Sequence, residues 1–424
     1  MLKNLVKYSA LLWAFLFCNV LNAQFTHSSY TAFGLGDINW GGYAHNAGMG
    51  GLGISNNNAL FLNNINPALI ASNKEAIFQI DASFDNRIFS NGQTQYSSFT
   101  GGFKDFGFSM PIKLGKWNLA LGLSPYSSVN YGLIQEEGTI AISDLSGGGG
   151  IDQAYITNAI KIGDNLLVGF RASLLFGSIS REIEYVVFDS SVAGVASGST
   201  VFNERRSFSD LSANLGLVYK LKINESSRIN IGAFYNLGSD ARSRNLTKFE
   251  SRNGSGNILS SDTLINNVDS QIRIPQRIGF GLTYEKIRRV TIGIDFQSQA
   301  WGDYINEAGE SQVNLGDAFR LAAGGEFTPS VQNTKLASRF TYRLGVHFEK
   351  TPYVVNSEMI NDFGINFGVS VPLNAFWGVS NLTLGGTIGT RGDVTDGRIR
   401  ENYFKLNLGF SFQDITWFAR QKYN

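Results

Sequence analysis

Cysteine is almost missing from this chain: there is one, Cys18. It lies in "MLKNLVKYSALLWAFLFCNVLNA", where Lys3 and Lys7 precede an apolar run from about Ser9 to Leu21 and small Ala23 follows it. That order predicts a secretory signal peptide over residues 1–23. The alternative, an N-terminal anchor helix, has too short a run. Phe17 before Cys18 is not the small residue of a lipoprotein site. Once residues 1–23 are removed no cysteine remains, which excludes disulfides and thiolate metal sites.

Long apolar runs are missing as well. No later segment has 18 apolar residues in succession, so no transmembrane helix is expected. Charge of one sign is missing: the formal charge is +1, and about −1 without Lys3 and Lys7. No basic excess is present to hold nucleic acid. Histidine is rare, with only His27, His45 and His347, and no spacing sets a serine beside one of them. HExxH, Walker and EF-hand patterns are absent, and "SSDTLINNVDS" (260–270) lacks the regular spacing of a Ca²⁺ loop. No enzyme, cofactor or metal is expected. Proline is scarce at 7, whereas Gly (48) and Phe (32) are abundant. An exported chain of this kind is either a secreted all-β domain or an outer-membrane barrel.

What is present is period-two alternation. In "AIFQIDASFDNRIF", Phe78, Ile80, Ala82, Phe84 and Ile88 share one face, opposite Gln79, Asp81, Ser83, Asp85 and Arg87. "VTIGIDFQ" and "YFKLNLGFSFQ" repeat the pattern. About fourteen such segments follow one another from 76–90 to 401–413. Many exceed the roughly five or six residues of soluble strands and suit a tilted membrane strand of about nine to eleven. Short turns at 113–116, 163–165, 222–228 and 285–289 alternate with longer polar stretches at 132–150, 185–206, 246–274 and 303–315, expected to be loops. Short turns on one side are the periplasmic side of an outer-membrane barrel. An even strand number puts both ends of the barrel there. Trp117, Tyr219 and Tyr284 beside the short turns suit an interfacial girdle. A β-sandwich with aromatic core is the alternative, and a propeller would need a repeat that is not found. Asn158 interrupts the apolar phase without explanation.

With these features the chain resembles the FadL family of outer-membrane transporters for hydrophobic molecules. The likeness is carried by "AGMGGLGISNNNALFLNNINPALIA" (47–71), "GLSPYSSVNYG" (122–132), "IRIPQRIGFGLTYEKIRRVTIGIDFQSQAWGDY" (272–304) and "YRLGVHFEKTPY" (342–353), in that order. It implies a monomeric barrel of about fourteen antiparallel strands over 76–413, with residues 24–75 folded back into the lumen as a plug. It also implies passive uptake of fatty-acid-like or aromatic molecules and their sideways release through the wall. Gly48, Gly50, Gly51, Gly53, Asn66, Pro67 and Ala68 are the expected plug and gate. Their GxGxxG spacing is not a nucleotide loop, for no strand precedes it and asparagines and a proline follow.

Pro125 lies inside the third strand, where it removes a ladder bond, so Ser124, Pro125 and Tyr126 form a candidate lateral opening, with Ser127 and Ser128 beside them. Arg171, Arg320 and Arg343 have lumen phase and are candidates to pair with a ligand carboxylate, or else with acids across the lumen. Residues 414–424 would be a periplasmic tail with an interfacial anchor, or a docking segment. Two other functions stand beside uptake: an accessory or docking barrel of a secretion complex such as type 9, and a polar-solute porin.

Overall fold

The computed structural model describes residues 28–137, 141–188, 196–306, 315–330, 336–375 and 378–414. The expected signal peptide and the residues after 414 lie outside them. A two-residue strand, β1 (Asp37–Ile38), precedes a continuous antiparallel series: β2 (Ala76–Ser90), β3 (Gln95–Lys113), β4 (Trp117–Glu137), β5 (Ala141–Ile162), β6 (Leu166–Phe188) and β7 (Ala196–Lys222). Then come β8 (Ser227–Asn236), β9 (Ser239–Asn253), β10 (Ile258–Ile274), β11 (Arg277–Lys286), β12 (Val290–Gln299) and β13 (Ala318–Phe327). The last are β14 (Thr341–Val355), β15 (Glu358–Ala375), β16 (Gly378–Arg391) and β17 (Arg400–Asp414). β17 pairs β2 from Asp414 and Ala76 to Arg400 and Ser90, so the sheet closes on itself. The closed ring holds fourteen strands, β2 to β8 and β11 to β17, because β8 pairs β11 directly.

The alternation places the side chains as the sequence predicts. Ile80, Phe84 and Ile88 are on the lipid-facing side with Phe404 and Phe410 of the neighbouring strand, while Asp81, Asp85 and Arg87 are buried inside. Trp117, Tyr219 and Tyr284 are exposed at the short-turn end. Asn158 now has its reason: the Trp117 indole N–H donates to its Oδ1 at 3.3 Å, two residues along the β4–β5 ladder. A polar pair at the interface offsets the break in phase.

The long polar stretches are a correction. The described parts of 132–150, 185–206 and 246–274 are mostly strand, not loop, and most of the expected loop at 303–315 lies outside the described residues. β4 to β7 run to 21, 22, 23 and 27 residues, well beyond the span of a bilayer. Above the band, β9 takes over from β8 as partner of β7 (Ser209 with Arg242 up to Gly198 with Asn253), and β10 pairs β9. At its base Phe208, Ala241, Ile272 and Ile274 join the buried lumen cluster, and above them both faces meet water, so no apolar alternation marks the rest.

Candidate functional site: a parted seam and the segment that fills it

One seam of the wall is incomplete. β3 and β4 pair only from Lys113–Trp117 to Phe106–Leu123. Beyond that point β3 pairs β2 alone, while β4 pairs β5 on one side and β1 on the other. The parting begins at Leu123, seven residues into β4, short of the nine to eleven or so needed to cross a bilayer. Pro125 stands just above it, at a bulge where Pro125 pairs Asp152 and Ser127 pairs Ile151. A proline costs no ladder bond on an edge from which the neighbour has withdrawn. On β3 the counterpart is Lys104, the extra residue between Asp81–Asp105 and Ala82–Phe103.

The N-terminal segment occupies the parting. Asp37 and Ile38 pair Ser128 and Ser127. Asn39 donates from its backbone N–H to the Tyr126 carbonyl at 2.9 Å and from Nδ2 to the Pro125 carbonyl at 2.9 Å. From the β3 side, Lys104 Nζ donates to the Gly42 carbonyl at 2.9 Å. Of the expected opening, Ser124 and Tyr126 are buried, and Tyr126 accepts from Gln299 Nε2 at 3.1 Å. Pro125, Ser127 and Ser128 line a cavity of about 170 Å³ that reaches across the lumen to His347, Asp362 and Arg391. Its lining mixes Asp37, Glu349, Asp362 and Arg391 with Ile38, Trp40 and Pro125. The apolar part of the lumen is already filled: Tyr30, Leu35, Ile38 and Trp40 are buried in one cluster with Tyr126, Val129, Trp301 and Tyr353.

Lumen charges tie the segment down on every side. Asp37 accepts from Arg391 at 3.0 Å, and Arg391 also holds Asp362 at 2.7 Å, which Tyr403 reaches at 2.6 Å. Glu401 accepts from Ser28 Oγ at 2.8 Å and pairs Arg87 at 2.5 Å. Asp295 Oδ2 accepts from the N–H groups of Gly53 and Ile54 at 2.7 and 2.8 Å. Asp81 accepts from the N–H of Ala44, and Asp105 from Asn64 Nδ2 at 2.9 Å. Asp295 and Asp81 are buried acceptors for backbone N–H groups that make no ladder bond, and the other acids hold side-chain donors.

The three arginines do the complementary work. Arg171 donates to the Asn64 carbonyl at 2.6 Å with its guanidinium over Tyr155. Arg320 donates to the Gly50 carbonyl at 3.2 Å and pairs Glu349 at 2.9 Å. Arg343 pairs Glu326 at 3.0 Å and lies over Phe61. Each is engaged by the segment or by a wall acid, so in this state none stands free for a ligand carboxylate.

The expected gate residues sit in this packing. Gly50 has φ +76, and a Cβ there would lie 2.5 Å from the Val346 carbonyl oxygen. Gly48 and Gly51 approach Gly368 and Arg320, and Gly53 packs on Ile65. Asn66 caps a short 3₁₀ turn, Pro67–Ser72, by accepting from the Ala68 N–H at 3.0 Å. Its Nδ2 donates to the Ile54 carbonyl at 2.8 Å. Pro67 and Ala68 rest on Gly169 and Gly216 of the wall.

Sequence reasoning missed Asp37, Asp362, Arg391 and Glu401. The strand phase carried to its ends would have placed the last three inside. Nothing local marks Asp37.

Comparison with known proteins follows the fold. The model of one family, described as BamG, matches residues 1–424. No curated protein matches the sequence. Among solved structures, the Pseudomonas putida toluene transporter TodX is similar at 18% identity and TM-score 0.59, over 90% of this chain and 100% of that one. A Pseudomonas aeruginosa FadL homologue is similar at 13% and 0.56, over 89% and 99%. The Ralstonia pickettii toluene transporter TbuX gives 14% and 0.55, over 88% and 98%. At these identities the FadL likeness is one of fold.

Proposed function

The chain belongs to the BamG family, and we propose that it is a gated outer-membrane channel for small hydrophobic molecules, fatty-acid-like or aromatic. The observation that carries this reading is the seam between β3 and β4. A closed barrel with no sideways traffic gains nothing by leaving two neighbouring strands unpaired within the membrane, where each unsatisfied backbone group is costly. Solved barrels of this fold include toluene transporters. An apolar molecule gains about 25 cal/mol for each Å² withdrawn from water, so leaving through the wall into lipid avoids a second aqueous crossing. The small size of the cavity and the filled apolar cluster make the present state the closed one. Opening moves β1 off the Ser127–Ser128 edge and breaks the Asp37–Arg391 pair.

The test uses the lack of cysteine outside the leader. Ile38→Cys and Ser127→Cys are register partners and would form a disulfide across the closed gate. Uptake of toluene or a long-chain fatty acid should fall in the oxidised double variant and return on reduction. Equal uptake in both states would overturn the gate.

A second reading, a docking barrel of a secretion complex, is favoured by a different observation. Among the described residues β10 pairs only β9 from Ile258 to Ile272, above the membrane band, and edges of that length are seldom left open. This reading expects a stable complex with a larger pore, retained in the locked double variant. Loss of the complex on locking, or no complex at all, would remove it.

A further inference from the structure

The outward face of β7 changes character within one step. Leu217, Leu215 and Leu211 point to lipid, with Leu211 73% exposed, and Ser209, Ser207 and Arg205 follow. The direction is fixed by the alternate residues: Phe208, Ala241 and Ile272 are buried on the lumen side. The register carries each row sideways. Ser209 stands beside Arg242 and that beside Gln271; Ser207 stands beside Arg244 and that beside Asp269. One row higher than Arg205, Asn203 stands beside Lys248, and Arg273 stands opposite Asp240.

At this level lies a concavity of about 1060 Å³, lined by Arg242, Arg244 and Arg273 with Ser207, Ser209 and Gln271, and also by Phe208, Ile272 and Ile305. The carboxylates of Asp240 and Asp269 also line it. Arg244 pairs Asp269 at 2.9 Å and Arg273 pairs Asp240 at 3.1 Å, every one of these side chains more than half exposed. Such pairs are weak and exchange partners readily. Arg242, Arg205 and Lys248 form no ion pair among the described residues. Three cations thus line the concavity against two acids, and Arg205 and Lys248 stand on the rows above it, with Glu182 at the far end of the Lys248 row.

We propose that this concavity binds the phosphate-bearing headgroup of an outer-leaflet glycolipid. With the short turns periplasmic, the cations lie directly above the apolar band, at the headgroup level of the outer leaflet. The lipid's acyl chains would run down the apolar wall at Leu211, Leu215 and Leu217. Guanidinium groups match phosphate oxygens in charge and in the geometry of their paired N–H donors. Basic residues at a membrane surface each attract anionic lipid by about 1 kcal/mol. The proposal holds whether the barrel transports or docks.

The test compares the mature protein in nanodiscs with a variant carrying Arg242→Ser, Arg244→Ser and Arg273→Ser. Their exposure leaves the fold intact, checked by heat-modifiable migration. Probes are bis-phosphorylated lipid A, the same lipid dephosphorylated, and inorganic phosphate. The parent should retain the phosphorylated lipid at least about tenfold better than the dephosphorylated one. The triple variant should lose that preference, while Lys113→Ser with Lys116→Ser, at the other end of the barrel, should keep it. Equal retention of both lipids by the parent, or an undiminished preference in the triple variant, would overturn the proposal. Inorganic phosphate binding as tightly as the lipid would make this a free-anion site and overturn the lipid assignment.

Discussion

Asp295 shows what one residue does for this architecture. Its strand phase, read from "VTIGIDFQ", already places it inside the barrel. Its task, accepting from Gly53 and Ile54, is set by a segment more than two hundred positions away. Asp295→Ala would leave two buried N–H groups unsatisfied, at roughly 1–3 kcal/mol each. The expected result is a lower transition temperature in heat-modifiable gel migration and faster proteolysis within residues 44–66. Gly50 makes a similar point from the backbone side. Gly50→Ala combines positive φ with a clash against the Val346 carbonyl oxygen, a strain of about 1–3 kcal/mol. It should loosen the segment without unfolding the wall, seen as new protease cleavage near residue 50 with normal barrel migration.

At the scale of elements, the alternation of fourteen wall strands was legible because lipid on one side and a polar lumen on the other impose opposite demands every second residue. The same rule explains what was illegible. Beyond the buried cluster at their base, β9, β10 and the upper parts of β4 to β7 have water on both faces, so glycines, serines and charges there read as loop. The seam was half legible. Pro125 marks an unusual position in β4, but the withdrawal of β3 beyond Phe106 has no sign in its own residues. Removing residues 47–70 would empty the lumen of the packing around Gly50 and Asn66. The expected outcome is ion conductance in planar bilayers where the parent conducts little. A silent deletion variant of normal migration would argue that other residues close the lumen.

The molecule as a whole is a barrel with a sheet built on top. β8 and β11 pair over ten residues from Ser227–Lys286 to Asn236–Arg277, so the hairpin of β9 and β10 is not needed to close the ring. Replacing residues 239–274 by a short turn should leave a folded, heat-modifiable barrel. The same variant should lose retention of phosphorylated lipid, which depends on Arg242, Arg244 and Arg273. Failure of the shortened chain to fold would mean that the extension takes part in assembling the wall.

The sequence by itself determined the wall: its strand number, its inward and outward faces and its aromatic girdle follow from local alternation against two solvents. Only the tertiary structure decided what fills the wall and where it parts. Asp37 with Arg391 and Asp295 with Gly53 are pairings across hundreds of residues, and β1 meets the β4 edge about ninety residues on. They exist because buried backbone donors and charges must find partners, and the closed barrel alone determines which partners are within reach.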